Sequence, residues 1–450
     1  MQRPLRIAAL MTVLSLAVLG GQPQASGAPP TMAPTPYLAG ASDPAVTTLA
    51  KDRNISIQEA QRRIGWQQPA VELGEELRRA LGARFGGLWI DPADGGRVKV
   101  GIPGGATADV GATADARTLI ARRQLTAVTD LVPVRHSYAD LEAANKRLGE
   151  AAANANRGTS RGIQTGLRVN RNAVHLHLQL PRGHRLTAAQ QAVVDTAKQR
   201  YGTSLVIDYT DQATRPYTCA WVDLTDINPP FRRFTCDAPL RAGVFTSHPL
   251  PGPDVGCTTG FYAQSKVDTK KYVMTAGHCL DLSGQGGTWY AYQPSTGMRH
   301  VVGPEHSNVF DSTGDFGIVR IDNVAGWNPK HWVYVHASAD TTLDPDYYII
   351  DDAGSGLGMR VCLTGARTGT DCGDVEDLGV RDQNFPYTDE LGQVDLCAGP
   401  GDSGGPIYSN HTARGILHGG PTQGPACFNI LYQGVAEAER RLNVNIIHGG

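Results

Sequence analysis

Two short motifs dominate this sequence: Gly401-Asp402-Ser403-Gly404-Gly405-Pro406 and, earlier in the chain, Thr275-Ala276-Gly277-His278-Cys279. A serine hydroxyl is a poor nucleophile near neutral pH, so it needs an adjacent imidazole that takes its proton. It also needs backbone N–H groups directed at the oxyanion that forms on a substrate carbonyl. The glycines allow a tight turn in which the N–H groups of Gly401 and Ser403 point at one spot. The two motifs therefore indicate acyl transfer, with Ser403 as the nucleophile and His278 as the general base.

The motifs resemble those of the chymotrypsin-like serine proteases, in which the triad occurs in the chain order His, Asp, Ser. Both stand in that order, and each has a cysteine nearby. The resemblance implies that the N–H groups of Gly401 and Ser403 form the oxyanion hole. It also implies a mostly β fold with two six-stranded antiparallel Greek-key barrels that meet at the triad. The regular short apolar runs after Cys257, such as residues 288–292 and 332–335, agree with strands.

The third member of the triad must be an acid between the two motifs. Several aspartates satisfy the chain order, among them Asp281, Asp311, Asp315, Asp322 and Asp340. We favour Asp315, because it opens a run that leads from a turn into a buried strand, Asp315-Phe316-Gly317-Ile318-Val319-Arg320-Ile321. This run resembles the aspartate segment of the streptogrisin and α-lytic branch of the family. Asp311 is the alternative, although its simpler interpretation is a turn residue.

The start of the chain predicts export. Arg3 and Arg6 precede the apolar residues 7–19, which are too few to span a bilayer, and small residues follow. We predict a signal peptide over residues 1–28 and a secreted, extracellular protein. No later segment is apolar enough for a membrane span. The net charge of -2 gives no basic field for nucleic acid.

The eight cysteines all follow residue 218, and an even number in a secreted protein favours disulfides. The residues alone leave the connectivity open, because eight cysteines allow many pairings. The resemblance to the protease family implies three pairs and leaves a fourth by exclusion: Cys257–Cys279, Cys362–Cys372, Cys397–Cys427 and then Cys219–Cys236.

The segment before the protease motifs has a different texture. Residues 29–44 are rich in Pro, Ala, Gly and Thr, which predicts a flexible leader. Capping and periodicity signals then predict four helices, one after Ser56 and the others over residues 70–81, 138–155 and 187–201. Alternating apolar residues predict strands over residues 87–90, 98–102, 172–180 and 204–209. A further short helix is predicted over residues 435–442, near the end of the chain.

This layout resembles a zymogen of the α-lytic and streptogrisin type, notably in Arg84-Phe85-Gly86-Gly87-Leu88-Trp89-Ile90-Asp91 and Val134-Arg135-His136-Ser137-Tyr138-Ala139-Asp140-Leu141. The resemblance implies an α+β pro-region over residues 45–237, which assists folding and then inhibits, and a protease domain over residues 238–450. An N-terminal module that stays attached is the alternative. Activation cleavage is expected between Tyr209 and Cys257. We expect a monomer whose partners are protein or peptide substrates and its own pro-region, with no cofactor.

Four positions bear on substrate choice, and one of them departs from the family. Asp395 stands two residues before Cys397, where an acid in trypsin-like relatives lies at the floor of the pocket and selects Lys or Arg. Its alternative interpretation is a solvated loop acid. The resemblance makes His418, Gly419 and Gly420 part of the strand that pairs with the substrate backbone. Relatives usually carry serine at the position of His418, so its side chain either pairs with Asp315 or turns outward.

A second departure concerns Asp402, which is buried in this family and needs a partner. Bacterial relatives commonly place an arginine after the first cysteine of the hairpin disulfide, but Leu363 stands there. Arg360 or a newly released N-terminal amine is the candidate substitute. His175 and His177 alternate on one predicted strand, and we interpret them as a polar strand face and predict no metal.

Two other classes of function are weighed against the protease. A catalytically silent, protease-shaped binding protein with an attached N-terminal module usually lacks a triad residue, whereas all three are present here. An α/β-hydrolase esterase needs a strand before its serine and a helix after it. Pro400 and Pro406 flank the motif instead, which argues against that fold.

Overall fold

A computed structural model describes residues 39–105, 109–157, 162–180, 185–210, 214–216, 236–248, 255–283, 286–293, 296, 298–336, 342–382, 388–421 and 426–449. The predicted signal peptide, residues 29–38 of the predicted leader, and Cys219 lie outside these ranges. The described residues all belong to one compact unit, Pro36–Gly450. Within this part of the chain, no helix combines the length and the apolar character that a membrane crossing requires.

The N-terminal part combines helices and strands, as predicted. Its α-helices are α1 (Pro44–Arg53), α2 (Ile57–Gly65), α3 (Gln67–Leu81), α4 (Val110–Arg122), α5 (Tyr138–Ala155) and α6 (Ala188–Tyr201). Its strands are β1 (Leu88–Asp91), β2 (Arg97–Pro103), β3 (Thr129–Val134), β4 (Ile163–Arg168), β5 (Ala173–Gln179), β6 (Leu205–Thr210) and β7 (Thr214–Pro216). Strands β1, β2 and β3 form a separate three-stranded sheet.

Side-chain caps explain where the predicted helices begin. The hydroxyls of Ser56, Ser137 and Thr187 accept the N–H groups three residues further on, at 3.1, 3.1 and 3.2 Å. Each satisfies one of the N–H groups that the first helical turn leaves without a partner. These caps confirm the predicted starts of α2, α5 and α6.

The N-terminal part also differs from the prediction in places. Helices α1 and α4 and strands β3 and β4 were not predicted, and the last residues of the predicted leader are packed. Ala39 is buried, and the Asp43 carboxylate caps α1 by accepting the N–H of Ala45 at 2.8 Å. The packed N-terminal part therefore includes residues before 45.

The C-terminal part is mostly β. Its strands are β8 (Phe245–His248), β9 (Val255–Thr258), β10 (Tyr262–Ser265), β11 (Lys271–Thr275), β12 (Thr288–Gln293), β13 (Met298–Asp311), β14 (Gly314–Arg320), β15 (Trp332–His336), β16 (Thr342–Tyr348), β17 (Asp351–Asp352), β18 (Arg360–Gly365), β19 (Gly369–Asp382), β20 (Thr388–Val394), β21 (Pro406–Ser409), β22 (Thr412–Pro421), β23 (Ile430–Gly434) and β24 (Val444–Ile446). Its helices are α7 (Gly277–Ser283), α8 (Val324–Trp327) and α9 (Val435–Leu442).

Two large sheets organise this C-terminal part. The first has the order β24-β10-β11-β14-β13-β12-β8-β9. In the second, β18-β21-β22-β23-β20-β19 are successive neighbours, and β18 also pairs with β19, so these strands form a closed ring. The mostly β fold is confirmed. The ring is compatible with the second predicted barrel, although strands of the N-terminal part extend its sheet beyond six.

The N-terminal and C-terminal parts share both a sheet and a core. Strand β4 pairs with β19, which continues the ring into β5 and β6. Leu49 of α1 belongs to the same buried cluster as Ile416, and Leu73 of α3 to the same cluster as Val361. The N-terminal part is therefore a layer of the same fold. Burial of apolar surface in these shared clusters is the main favourable contribution to its association with the C-terminal part.

Candidate active site

The histidine and the aspartate of the proposed triad come from neighbouring elements of the first sheet. Strand β11 ends at Thr275, opposite Gly317 of β14, and α7 begins directly afterwards with Gly277-His278. Asp315 is the second residue of β14, two positions before Gly317. The sheet register therefore brings His278 and Asp315 together, although they are 37 residues apart in sequence.

Asp315 binds His278 through both of its carboxylate oxygens. Oδ1 accepts the backbone N–H of His278 at 2.8 Å, and Oδ2 accepts Nδ1–H of its ring at 2.7 Å. Both side chains are almost completely buried. Burial opposes ionisation of the carboxyl group, but the imidazoles of His278 and His418 hold the pKa of Asp315 well below its ordinary value. An ionised Asp315 fixes the ring orientation and the tautomer in which Nε2 accepts a proton.

The serine loop, residues 401–406, packs directly on the histidine motif, residues 275–279. Position Gly404 faces Thr275 and Ala276, and the Ser403 carbonyl accepts the N–H of Thr258 at 2.8 Å. Sγ of Cys279 lies 3.8 Å from Nε2 of His278 and 3.9 Å from the Ser403 carbonyl oxygen. The two sequence motifs therefore meet at one place in the fold.

Gly404 is a position where a side chain is expected to be severely destabilising. Its φ is +83°, and a Cβ would lie 2.1 Å from Oγ1 of Thr275. We expect Gly404→Ala to lower the free energy of unfolding by about 1–3 kcal/mol from backbone strain and by about 1–3 kcal/mol more from overpacking. Chemical denaturation of the chain carrying Ser403→Ala, which avoids self-digestion, measures this loss.

Gly354→Ala is the matched control for that measurement, because a Cβ at Gly354 meets no atom within 4 Å. We expect it to change the free energy of unfolding by no more than about 0.5 kcal/mol. Equal losses in the two variants would contradict the close contact between the serine loop and the histidine motif.

Asp402 is buried among neutral donors. Its oxygens accept the N–H groups of Gly399, Arg367 and Thr368 at 2.8, 2.8 and 3.1 Å, and the Thr368 hydroxyl at 2.7 Å. Burial raises the pKa of Asp402, and these hydrogen bonds oppose that rise. The expectation that Arg360 pairs with Asp402 is wrong, because the Arg360 guanidinium binds Asp374 and Asp52 instead.

The other aspartates considered for the triad lie elsewhere. Asp311 is exposed and accepts the N–H and the hydroxyl of Thr313 at 2.7 and 2.6 Å, which is a turn, as its simpler interpretation predicted. Asp322 pairs with Arg320 at the surface, and Asp281 is exposed. Asp340 falls outside the described residues.

His418 turns toward the proposed triad. Its Nδ1 lies 2.6 Å from Oδ2 of Asp315, and its Nε2 lies 3.3 Å from Oδ2 of Asp382. Gln164 of β4 donates from Nε2 to the other oxygen of Asp382, at 3.1 Å. Sequence reasoning missed Asp382 and Gln164, because neither belongs to a recognisable motif. Asp382 is one of five acidic residues in β19, so its position in the sequence did not set it apart.

The strand that carries His418 already has a partner. Gly419 and Gly420, predicted to pair with substrate, are opposite Pro216 and Arg215 of the short strand β7, in antiparallel register. A segment of the N-terminal part therefore lies along the predicted substrate-binding strand.

Asp395 is exposed, and the nearby carboxylates belong to Asp371 and Asp374. Partial burial and then these two negative charges raise the pKa of Asp395. The pairings described for this residue connect it to β19 through its backbone N–H and the Asp374 carbonyl. Its proposed role at the pocket floor stays a prediction.

Three disulfides are present as the resemblance implied, and they are Cys257–Cys279, Cys362–Cys372 and Cys397–Cys427. The first ties the histidine motif to β9, and the last closes the segment that contains the serine loop. Each closed loop constrains the unfolded chain. The predicted partner of Cys236, Cys219, lies outside the described residues.

The two histidines of β5 are buried at the junction with the C-terminal part, and not on an exposed polar face. The ring of His175 bridges Asp377 of β19, at 2.8 Å from Nδ1, and Asp208 of β6, at 2.9 Å from Nε2. Burial opposes protonation, but the hydrogen bonds to Asp208 and Asp377 raise the pKa of His175. Burial and the neighbouring charge of His175 lower the pKa of His177 to about 4.

These opposite shifts predict opposite pH dependences of stability. A raised pKa gives His175 a stabilising contribution that is complete below the unfolded value of about 6.5 and is lost as pH rises through the folded value. The depressed pKa of His177 makes its burial costly at low pH, and that cost disappears as pH rises from about 4 to about 6.5. Asp208, Asp377 and Arg168 are the charged groups that face this pair.

Denaturant unfolding between pH 5 and 9, again in the Ser403→Ala chain, measures both effects. The loss caused by His175→Gln should shrink as pH rises, whereas the loss caused by His177→Gln should grow between the acidic end and neutrality. Losses that are independent of pH in both variants would contradict the assigned protonation states.

The match to known families covers this site. Residues 265–440, which include His278, Asp315 and Ser403, match the Trypsin family. Together with the mostly β fold, this match makes the molecule a chymotrypsin-like serine endopeptidase.

Known proteins that are similar in sequence indicate the branch of the chymotrypsin-like proteases. Serine protease 2 of Streptomyces fradiae is 29% identical over 166 residues, which is 36% of this chain and 86% of that protein. Streptogrisin-A of Streptomyces griseus is 29% identical over 184 residues, or 40% of this chain and 54% of that protein. Streptogrisin-C of the same organism is 24% identical over 419 residues, or 92% of this chain and 76% of that protein. These similarities support a serine protease of the streptogrisin branch.

Among solved structures, a protein described as alpha-lytic protease homolog N4 is 24% identical and covers 47% of this chain and 98% of its own, with a TM-score of 0.35. Thermobifida fusca protease A is 19% identical and covers 48% of this chain and all of its own, with a TM-score of 0.36.

Proposed function

We propose that this chain is a secreted serine endopeptidase made as a zymogen, which cleaves peptide bonds through an acyl-enzyme. His278 takes the proton of Ser403 and returns it to the leaving amine, and Asp315 orients His278 and stabilises its imidazolium. The N–H groups of Gly401 and Ser403 bind the oxyanion. The observation that carries the proposal is the double contact of Asp315 with His278, next to a serine loop packed on the histidine motif.

The zymogen part of the proposal rests on how the N-terminal part meets the protease domain. Strand β7 lies along Gly419 and Gly420, where a substrate backbone is expected to pair. A chain segment in that position excludes substrate, so the N-terminal part acts as an inhibitor. The same part extends the sheet of the protease domain through β4, which supports a role as a template for folding. Barrels with many non-local contacts fold slowly without such help.

Secretion is supported by the disulfides, since such bonds persist in oxidising compartments. We propose that the signal peptide covers residues 1–28 and that a pro-region ending before residue 238 is released. We further propose that the mature enzyme is a monomer.

Labelling with a fluorophosphonate, together with the N-terminal sequence and intact mass of the secreted protein, tests this function. Strand β7 is antiparallel to β22, and its last residue, Pro216, is opposite Gly419, the neighbour of His418. The chain therefore approaches the proposed triad after Pro216, and we expect the mature N-terminus after this residue. Wild type should be shortened and label at Ser403, whereas Ser403→Ala should stay long and unlabelled. Shortened but unlabelled wild type would indicate a silent, protease-shaped protein.

Wild type that labels but keeps its N-terminal part would identify that part as an attached module. Shortening of both wild type and Ser403→Ala would assign the processing to another protease. In either case the labelling result alone decides whether the chain is a serine hydrolase.

A further inference from the structure

A buried cluster of four ionisable side chains is centred on the carboxylate of Asp315 and also contains His278, His418 and Asp382. Oδ2 of Asp315 accepts Nδ1–H of His278 at 2.7 Å and Nδ1–H of His418 at 2.6 Å. The other ring nitrogen of His418 lies 3.3 Å from Oδ2 of Asp382. All four side chains belong to residues that are at most 1% exposed. Because water does not reach the cluster, its charges must be balanced by protein groups.

The hydrogen bonds of His418 determine its protonation. An ionised carboxylate only accepts, so a ring nitrogen bound to one must carry a hydrogen. His418 has such a contact on each of its nitrogens, which makes it an imidazolium. Burial works against this charge, but the hydrogen bonds to Asp315 and Asp382 raise the pKa of His418 to about 9.

We propose that His418 is a positioning residue of this protease, a cation that shares the Asp315 carboxylate with His278 and is itself held by Asp382. The inference rests on the proposed function, because it takes His278 as the general base. Relatives of this family usually carry a serine at this position, which supplies a hydrogen bond but no charge. The geometry therefore adds a positive charge beside the triad.

The consequence concerns the pH range of the enzyme. The groups that face His418 are Asp315 of β14, Asp382 of β19 and His278 of α7, whose ring centroid lies 6.3 Å away in an edge-to-face arrangement. At this distance the positive charge of His418 repels a second positive charge on the His278 ring. Removal of His418 is therefore expected to change the pH dependence of the proposed reaction. The presence of His418 also weakens the stabilisation of the imidazolium that forms during acyl transfer, because Asp315 is shared.

Asp382 gives the cluster its second anion and a connection to the N-terminal part. Its Oδ2 faces His418, and its Oδ1 accepts Nε2–H of Gln164 from β4. Removing His418 alone takes the cation away from a buried carboxylate, which is strongly destabilising. Removing both charges together avoids that penalty, so the double substitution is the safer variant.

The rate of fluorophosphonate labelling of Ser403 as a function of pH tests the proposal without a known substrate. In His418→Ser we expect the acidic limb of the profile to move up by about one pH unit, so that labelling at its acidic end slows about tenfold. The plateau rate should change less. Asp382→Asn should move the limb by less than His418→Ser, because Asp315 still holds the charge of His418. In the double variant, His418→Ser with Asp382→Asn, the acidic limb should lie between the limb of His418→Ser and that of wild type.

His300→Ser is the matched control, since His300 is away from the cluster and bonds Thr296. Its limb should coincide with that of wild type. The proposal would be overturned if the acidic limbs of folded His418→Ser and of the double variant also coincided with that of wild type. The proposed function would remain intact in that case. Wild type that does not label at any pH would overturn the proposed function, and this inference with it.

A spectroscopic measurement provides a readout that does not depend on activity. In the ¹⁵N-histidine-labelled Ser403→Ala chain, the signals that disappear in His418→Ser should report two protonated ring nitrogens at pH 7. They should keep that signature up to about pH 9. Signals typical of a neutral ring at pH 7 would overturn the assignment of a cation.

Discussion

Replacement of Ser403 by alanine is expected to lower kcat by about 10⁶, which leaves only the contribution of substrate binding and of the oxyanion hole. The reason is that the hydroxyl of Ser403 is the proposed nucleophile, and without it no acyl-enzyme can form. Initial rates of hydrolysis of fluorescein-labelled casein, with the processed enzyme at known concentration, measure the loss. Processing of the variant requires a trace of wild type, whose residual activity must be subtracted.

Ser409→Ala is the matched control for this loss. Ser409 is buried in β21, six residues after Ser403, and it has no proposed part in the reaction. We expect its kcat to stay within about a factor of ten of wild type, as for a substitution that affects packing only. A loss of similar size in both variants would indicate misfolding of the serine loop rather than removal of the nucleophile.

Replacement of Asp315 by asparagine is expected to lower kcat by about 10⁴. Asp315 accepts three N–H groups, from the backbone and ring of His278 and from the ring of His418. An asparagine side chain has one accepting oxygen and a donating NH₂ group, so it cannot accept all three in the same way. The ring of His278 is then stabilised in the wrong tautomer or orientation, and the imidazolium loses its counter-charge.

The same casein assay measures this loss, with Asp311→Asn as the control. Asp311 lies at the surface and bonds Thr313, so its substitution should leave kcat nearly unchanged. If Asp311→Asn instead caused the larger loss, Asp311 would be the triad acid and the assignment of Asp315 would be wrong. Near-ultraviolet circular dichroism distinguishes a folded, inactive Asp315→Asn from an unfolded one.

Local signals were enough to predict much of the N-terminal part. Helix α5 has the predicted bounds, because Ser137 caps it and apolar residues recur at helical spacing. Helix α4 (Val110–Arg122) was not predicted, since it opens with small and polar residues that are also typical of a linker. Its buried residues include Ala116 and Ile120, which pack in the same cluster as Leu73 of α3. Tertiary packing therefore stabilises this helix, and a single segment of sequence carries little sign of it.

The proposed active site likewise contains features that the sequence predicted and contacts that it did not. Chain order and the strand that follows Asp315 were enough to favour it over the other aspartates that were considered. The contact between His418 and Asp382 was not foreseeable, because it depends on the route from β19 through β20 and β23 to β22. The donors that surround Asp402 were also missed, because two of the three donor residues come from a loop more than thirty positions earlier in the chain. Contacts across a closed ring of strands are set by register, which short motifs do not encode.

The short strand β7 has a consequence for how the enzyme is turned on. Because Thr214–Pro216 belong to the same chain as the strand they cover, they compete as a tethered ligand, whose effective concentration is typically about millimolar for a short linker. A free substrate at micromolar concentration cannot displace such a competitor to any useful extent. Cutting the tether changes the competition from intramolecular to bimolecular, and dilution into the medium then completes the release. If the chain is the proposed zymogen, the expected trigger for activity is thus the loss of a covalent connection, and the amount of substrate present should have little influence on it.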